Sequence, residues 1–176
     1  MKKLVLATLA IAVMAGSAFA QGAEMKVKVG LDSGVSDFES SGTHGVCASA
    51  EFVFPVDSMV KIGPGVGISF IQVYNSNSTI NFVPIYGTIE ISPIKSAPGV
   101  FFKGNIGFSV GDVSGSFESG SYGGIYYGLG AGYEFPFGLF FDALYSWTTM
   151  NGTSSWSGNF TTFKKFTISA GYKFAI

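Results

Sequence analysis

The sequence predicts an all-β protein: an eight-stranded antiparallel up-and-down transmembrane β-barrel after a cleaved signal peptide. Three observations point there. The N-terminus reads as an export signal. The remainder is unusually apolar yet holds no run long enough for a spanning helix. Eight segments alternate apolar and small or polar residues with a period of two.

The opening "MKKLVLATLAIAVMAGSAFAQ" has Lys2 and Lys3, an apolar run from Leu4 to Ala15, and small residues ending Ala18-Phe19-Ala20. That is an A-x-A cleavage site, and the expected cut follows Ala20. Residues 1–20 are therefore assigned to the signal and 21–176 to one barrel domain. The apolar run falls short of the about 20 residues a spanning helix needs. No cysteine follows the cut closely, so no lipid-modified N-terminus is expected.

Without Lys2 and Lys3 the chain carries eight lysines, no arginine and eleven acids, a net charge of −3. Phosphate backbones require a basic footprint, so no nucleic-acid partner is expected. A single cysteine, Cys47, forbids an internal disulfide. Apolar residues make up 47 %, aromatics 16 % and charged residues only 12 %, against about a quarter charged in a soluble domain. An exported chain this apolar, without spanning helices, has one other way to satisfy its backbone in lipid, a closed barrel.

The segments follow in order. "MKVKVGLDS" sets Met25, Val27, Val29 and Leu31 against Lys26, Lys28, Gly30 and Asp32. A polar loop from Ser33 to Gly45 precedes "VCASAEFVF", with Val46, Ala48, Ala50, Phe52 and Phe54 on the apolar side. "PVDS" turns into the third segment, where Val60, Ile62, Val66, Ile68 and Phe70 oppose Lys61 and glycines 63, 65 and 67. After "YNSNST", "INFVPIYGTIEI" sets Val83, Ile85, Ile89 and Ile91 against Tyr86, Thr88 and Glu90. "PIKSAP" leads to "VFFKGNIGFSV", with Val100, Phe102, Ile106, Phe108 and Val110 opposite Lys103 and Asn105. A Ser/Gly loop from Gly111 to Ser121 precedes "YGGIYYGLGAGYEF", where Ile125, Tyr127, Leu129, Ala131, Tyr133 and Phe135 face away from Glu134. "PFG" introduces "LFFDALYSWT", with Phe141, Ala143, Tyr145 and Trp147 opposite Asp142. The loop "MNGTSSWSGN" precedes the last segment, whose apolar side is Ile168, Ala170, Tyr172, Phe174 and Ile176.

Each segment is about ten residues, enough for a tilted strand to cross a bilayer. Long polar loops alternate with short turns holding Pro55, Pro93, Pro98 and Pro136, which assigns the short turns to the periplasm and four loops to the outside. Pro64 and Pro84 fall inside strands, where each removes a ladder hydrogen bond.

The strand charges fall on the parity opposite the large apolar residues: Lys26, Lys28, Asp32, Glu51, Lys61, Glu90, Lys103, Glu134, Asp142, Lys165 and Lys173. Lys164 alone breaks the rule, near the outer end of its strand, where it can snorkel to the interface. A lysine facing lipid at mid-membrane costs about 2–4 kcal/mol, so the sorting is physical. An eight-stranded barrel holds side chains and little else inside. The sequence therefore predicts a belt of ion pairs across the lower lumen, closing it to ions.

The eight alternating strands, the signal peptide and "FTISAGYKFAI" resemble the small bacterial outer-membrane β-barrel families, the outer-membrane protein A membrane domain and the opacity-type surface barrels. "FVPIYGTIEISP" and "GLGAGYEF…FFDALYSW" are the most family-like stretches. The resemblance implies residence in the outer membrane lipid. It also implies an assembly signal in the last strand, here Ile168, Ala170, Tyr172, Phe174 and Ile176, read by the barrel-insertion machinery. The families usually end on an aromatic residue, and Ile176 departs from that.

Sites of chemistry are sparse. His44 is the lone histidine, placed in the first long loop near Asp37, Glu39 and Ser41, and "HGV" lacks the serine two residues away that lipid A deacylases carry. Cys47 is read as a lumen filler, and one His with one Cys makes no metal site. "GIGFSVGDVSG" and "GGIYYGLGAG" lack the strand-to-helix context of phosphate loops; glycines 63, 65, 67, 128, 130 and 132 instead leave interior room for Phe101, Tyr126 and Phe140. Asn-x-Ser/Thr triplets at Asn77, Asn151 and Asn159 read as loop composition. Aromatics near the strand ends suggest two interfacial girdles: Phe52, Phe54, Tyr133, Phe135, Tyr172 and Phe174 low; Phe70, Tyr122, Tyr145 and Trp147 high. The expected function is non-catalytic, with no cofactor and no metal: a monomeric barrel in envelope structure or surface interaction through its loops, where Asp37, Glu39, Asp112 and Glu118 lie. The alternatives are a narrow pore or small hydrophobic-ligand barrel, a lipid A-modifying enzyme, and a soluble lipocalin-like carrier with the parity reversed.

Overall fold

A computed structural model of the chain describes residues 22–34, 43–73, 78–94, 97, 99–114, 120–152 and 161–176. The expected signal peptide and the loop residues Asp37, Glu39, Ser41, Asn77, Glu118 and Asn159 lie outside the described residues. The strands are β1 (Glu24–Gly34), β2 (Thr43–Pro55), β3 (Val60–Val73), β4 (Ser78–Ile91), β5 (Val100–Ser114), β6 (Gly120–Glu134), β7 (Leu139–Gly152) and β8 (Thr161–Ala175). Each pairs antiparallel with its sequence neighbour, and β1 pairs with β8 from Glu24↔Ala175 to Gly34↔Lys165, closing the barrel.

Closure leaves no sheet edge, so ladder groups are satisfied without water. The alternation then has only two places to point. Val29, Leu31, Ile106 and Leu129 are each more than 60 % exposed on the outside, whereas Lys26, Glu51 and Lys103 are no more than 3 % exposed within. That orientation is the opposite of a lipocalin-like carrier. Pro64 and Pro84 do not break the register: Glu51↔Gly65 and Phe54↔Ile62 keep one offset around Pro64, as Val66↔Ile85 and Ser69↔Phe82 do around Pro84.

The tight turns have local causes. The Asp57 carboxylate accepts hydrogen bonds from the backbone N–H of Met59 (2.6 Å) and Val60 (2.8 Å), an Asx-type turn between β2 and β3. Between β6 and β7, Gly138 sits at φ +95°, a conformation that favours glycine.

The strands run 11 to 15 residues, longer than the ten-residue segments, and the excess lies at the end away from these turns. Residues read as loop join the ladder there, because pairing continues wherever both neighbours are extended. His44, expected in the first loop, lies in β2 opposite Ser33 and Gln72. Asn151, also expected in a loop, lies in β7 opposite Gly123. The long-and-short alternation is correspondingly weaker: residues 74–77 between β3 and β4 are as few as 56–59 between β2 and β3, and 92–99 between β4 and β5 match 35–42 between β1 and β2.

Aromatic contacts gather near both ends of the outer wall. Phe135 meets Tyr133 at 4.9 Å and Phe137 at 5.4 Å near the turns, and Tyr172 meets Phe174 at 5.0 Å. At the other end Trp147 stacks on Tyr127 at 5.1 Å and meets Tyr145 edge-on at 4.5 Å. Tyr122, grouped with the upper girdle from sequence, shares the inward parity of Tyr126.

Ile106 is 70 % exposed on the outer wall of β5. Ile106→Lys should lower unfolding stability in lipid vesicles by about 2–4 kcal/mol, measured by urea titration. Ile106→Leu should change it little.

Candidate functional site

The lumen is the chemically distinctive part of the molecule. Glu24 receives Lys61 at 2.6 Å and Lys173 at 3.3 Å at the turn end. Lys173 continues to Glu134 at 2.6 Å, and Glu134 to Lys26 at 3.0 Å. Lys26 reaches Glu90 at 2.6 Å, with the rings of Phe101 and Phe140 at 4.8 and 5.2 Å from its Nζ. Glu90 meets Lys103 at 3.2 Å, and Lys103 meets Glu51 at 2.5 Å and Asp142 at 3.7 Å. Lys28 joins Asp142 at 2.5 Å and Glu51 at 3.7 Å, completing one connected network of five lysines and five carboxylates.

Neutrality is what makes this network tenable. An unpaired ion in a low-dielectric interior costs several kcal/mol, and its partner returns that only when the remaining oxygens also find donors. Tyr86 supplies one by donating to Glu51 at 2.8 Å. Gly65 makes this reach feasible: a Cβ there would stand 2.5 Å from the Tyr86 ring.

Farther from the turns a second, smaller cluster stands apart. Lys165 pairs with Asp32 at 2.8 Å, Thr167 and Ser69 each donate to the Asp32 carboxylate at 2.5 Å, and Lys165 also contacts the Ser69 hydroxyl. Beyond it Ile71, Phe82 and Phe163 form a buried apolar cluster, with Phe82 and Phe163 rings 5.2 Å apart across the barrel from β4 to β8.

All eleven charges singled out from sequence therefore lie on the inner wall within ion pairs, but their partners were not legible. Lys61 faces Glu90 in the strand register yet pairs with Glu24; Lys26 faces Glu51 yet pairs with Glu90 and Glu134. Glu24 was missed altogether, although it shares the parity of Lys26 and Lys28 one step earlier. The apolar cluster at the end away from the turns was also missed, because Ile71 and Phe163 adjoin stretches read as loop. The interior glycines make room for Tyr86 and Leu144 as well as Phe101, while Gly171 does so for Phe140.

Of the other candidates, Cys47 lies across the ladder from Gly30 and Ser69, on the wall opposite to His44. His44 is exposed on the outer face, and among the described residues no carboxylate stands beside it there. No group of three or more metal-ligating side chains occurs among the described residues. Ile168, Ala170, Tyr172 and Phe174 line the outer face of β8, and Ile176 donates its N–H to Ala23 at 3.0 Å.

The family model for the outer membrane protein β-barrel domain matches residues 6–174. The chain belongs to this family of outer-membrane barrels. No curated protein matches it in sequence. Among solved structures it is similar to the attachment invasion locus protein Ail of Yersinia pestis, with a TM-score of 0.62 at 14% identity over 88% of this chain and 100% of that one. It is also similar to Neisserial surface protein A (TM-score 0.58, 13% identity, 88% and 97% covered). A third is OprG of Pseudomonas aeruginosa (TM-score 0.52, 14% identity, 89% and 98% covered). The apolar outer wall is thus the lipid-facing surface of a Gram-negative outer-membrane protein.

Among the described lysines Lys103 has the most carboxylate neighbours, three of them within 3.7 Å. Lys103→Gln should cost about 3–5 kcal/mol of stability, the range for breaking a buried pair from one side. A double-mutant cycle with Glu51→Gln in a urea titration should show strong coupling. Lys164→Gln, on the outer rim, should stay within about 0.5 kcal/mol of the parent.

Proposed function

We propose that this outer-membrane barrel is non-catalytic and monomeric, and that it serves envelope structure or surface interaction through the segments that join its strands at the end opposite the tight turns. The observation that carries the reading is the filled lumen. A neutral ion-pair network occupies the turn end and middle, and Ile71, Phe82 and Phe163 close the other end, so the barrel presents a rigid scaffold and not a conduit. Function on such a scaffold falls to what it displays. Under this reading residues 1–20 are removed on export, the tight turns face the periplasm, and the outer residues of β8 address the insertion machinery.

Two measurements test this. In planar bilayers the purified barrel should give no steady, large conductance; reproducible open channels would defeat the plugged lumen. Protease added to intact cells should cut within 35–42, 115–119 and 153–160 and spare the turns at 56–59 and 135–138. Cuts at those turns instead would reverse the topology.

One observation favours the narrow-pore alternative. Asn105, Ser109, Ser146 and Thr88 carry buried side-chain polar atoms without a partner, a neutral polar stripe along β4, β5 and β7. Such groups call for ordered water. If the stripe is a pathway, Phe82→Ala combined with Phe163→Ala should raise single-channel conductance severalfold; under the plug reading the ion-pair network keeps it at the parent level.

A further inference from the structure

The lipid-facing wall is not uniform around the barrel. One outward row crosses five strands: Ile68, Ala48, Val29, Ala170 and Phe141, each the ladder partner of the next. Alanines flank Val29 while Ile68 and Phe141 stand at the sides, and the next row outward adds Phe70 and Leu31. The result is an apolar groove of about 620 Å³ centred on β1, within the range of small-ligand sites, about 300–1,000 Å³.

Above this groove the wall turns polar and cationic. Ser33 and His44 are ladder partners, and Gln72 continues the row on β3. On β8 stands Lys164, the one lysine of the described strands on the outward parity, with no ion pair among the described residues and Trp147 as its ladder partner. Lys164 lies four residues beyond Ile168, about 13 Å along the strand, or about 10 Å of height at a strand tilt of about 40°. One strand, β1, separates it from His44, two inter-strand spacings or about 10 Å across. Asp112, the outward acid on this rim, lies on β5 beside Asn81, on the other side of the barrel.

We propose that the β8–β1–β2 wall is a binding site for one anionic, acylated lipid of the outer leaflet. The phosphate is held at Lys164, polar headgroup atoms meet Ser33, His44 and Gln72, and an acyl chain occupies the groove over Ala48 and Ala170. Each half selects against part of the alternatives. A zwitterionic lipid gains less from an unpaired ammonium at the interface, and a soluble anion gains nothing from the groove. A second copy of the chain would bring its own Lys164 toward this one.

The test uses the folded barrel in neutral detergent micelles, titrated with bis-phosphorylated lipid A, with the dephosphorylated lipid, and with phosphatidylcholine. Native mass spectrometry reads the number bound and the affinity. One lipid A should bind saturably, at least tenfold tighter than either other lipid. Lys164→Gln should erase the preference for phosphate, Lys164→Arg should keep it, and Ala48→Leu, which fills the groove, should weaken binding at least tenfold. Ile106→Ala, on the far wall, should change nothing. Equal affinity for all three lipids, unsaturable uptake, indifference to both Lys164→Gln and Ala48→Leu, or dimers that Ala48→Leu abolishes would overturn the proposal.

Discussion

A backbone placed in hydrocarbon must satisfy its own hydrogen bonds, and the rest of this structure depends on that constraint. Pairing β1 with β8 satisfies the last ladder but creates an enclosed interior. Eight strands make that interior too narrow to be a wide channel and too large to be left empty. Among the side chains that fill it are ionised groups, which are tolerable only when matched in sign and number. Among the described residues, six inward lysines and six inward carboxylates meet that condition in two clusters. The excess acids, among them Asp57 and Asp112, are left to turns and the outer rim.

Parity was legible because it is a local property. Whether Lys26 or Val27 faces inward follows from a period of two, and nothing elsewhere in the chain alters it. Partnership was not, because it depends on shear. Lys61 and Glu90 are ladder neighbours, yet the tilt that closes the barrel carries the Lys61 ammonium toward Glu24 on β1. The ends of the strands were blurred for a related reason. Thr43–Gly45 and Asp112–Ser114 are mostly polar or small and read as loop, but a strand beyond the hydrocarbon has no need to alternate. Inward residues at that level, such as Ile71 and Phe163, thus lost the context that would have identified them as a buried cluster.

The same reasoning accounts for a shared fold at 13–14% identity with Ail and Neisserial surface protein A. The constraint falls on which side of the sheet a residue occupies more than on which residue it is. Many outward residues serve equally well against lipid, and many balanced charge sets can occupy a lumen. Fold recognition and functional inference therefore separate here: the wall identifies the architecture and leaves the activity to be read from other residues.

At the seam, Lys26 and Lys173 stand directly opposite each other, like charges across the final ladder. Glu134, from β6, binds both. Lys173 also reaches Glu24 on β1, but the carboxylates that meet Lys26 come from elsewhere in the circle, Glu90 on β4 and Glu134 on β6. Zipping the ends together before β4 and β6 are in place would leave Lys26 facing Lys173 without a carboxylate of its own. The seam in this way favours a single concerted last act of folding, in which the circle and its contents become native at the same moment.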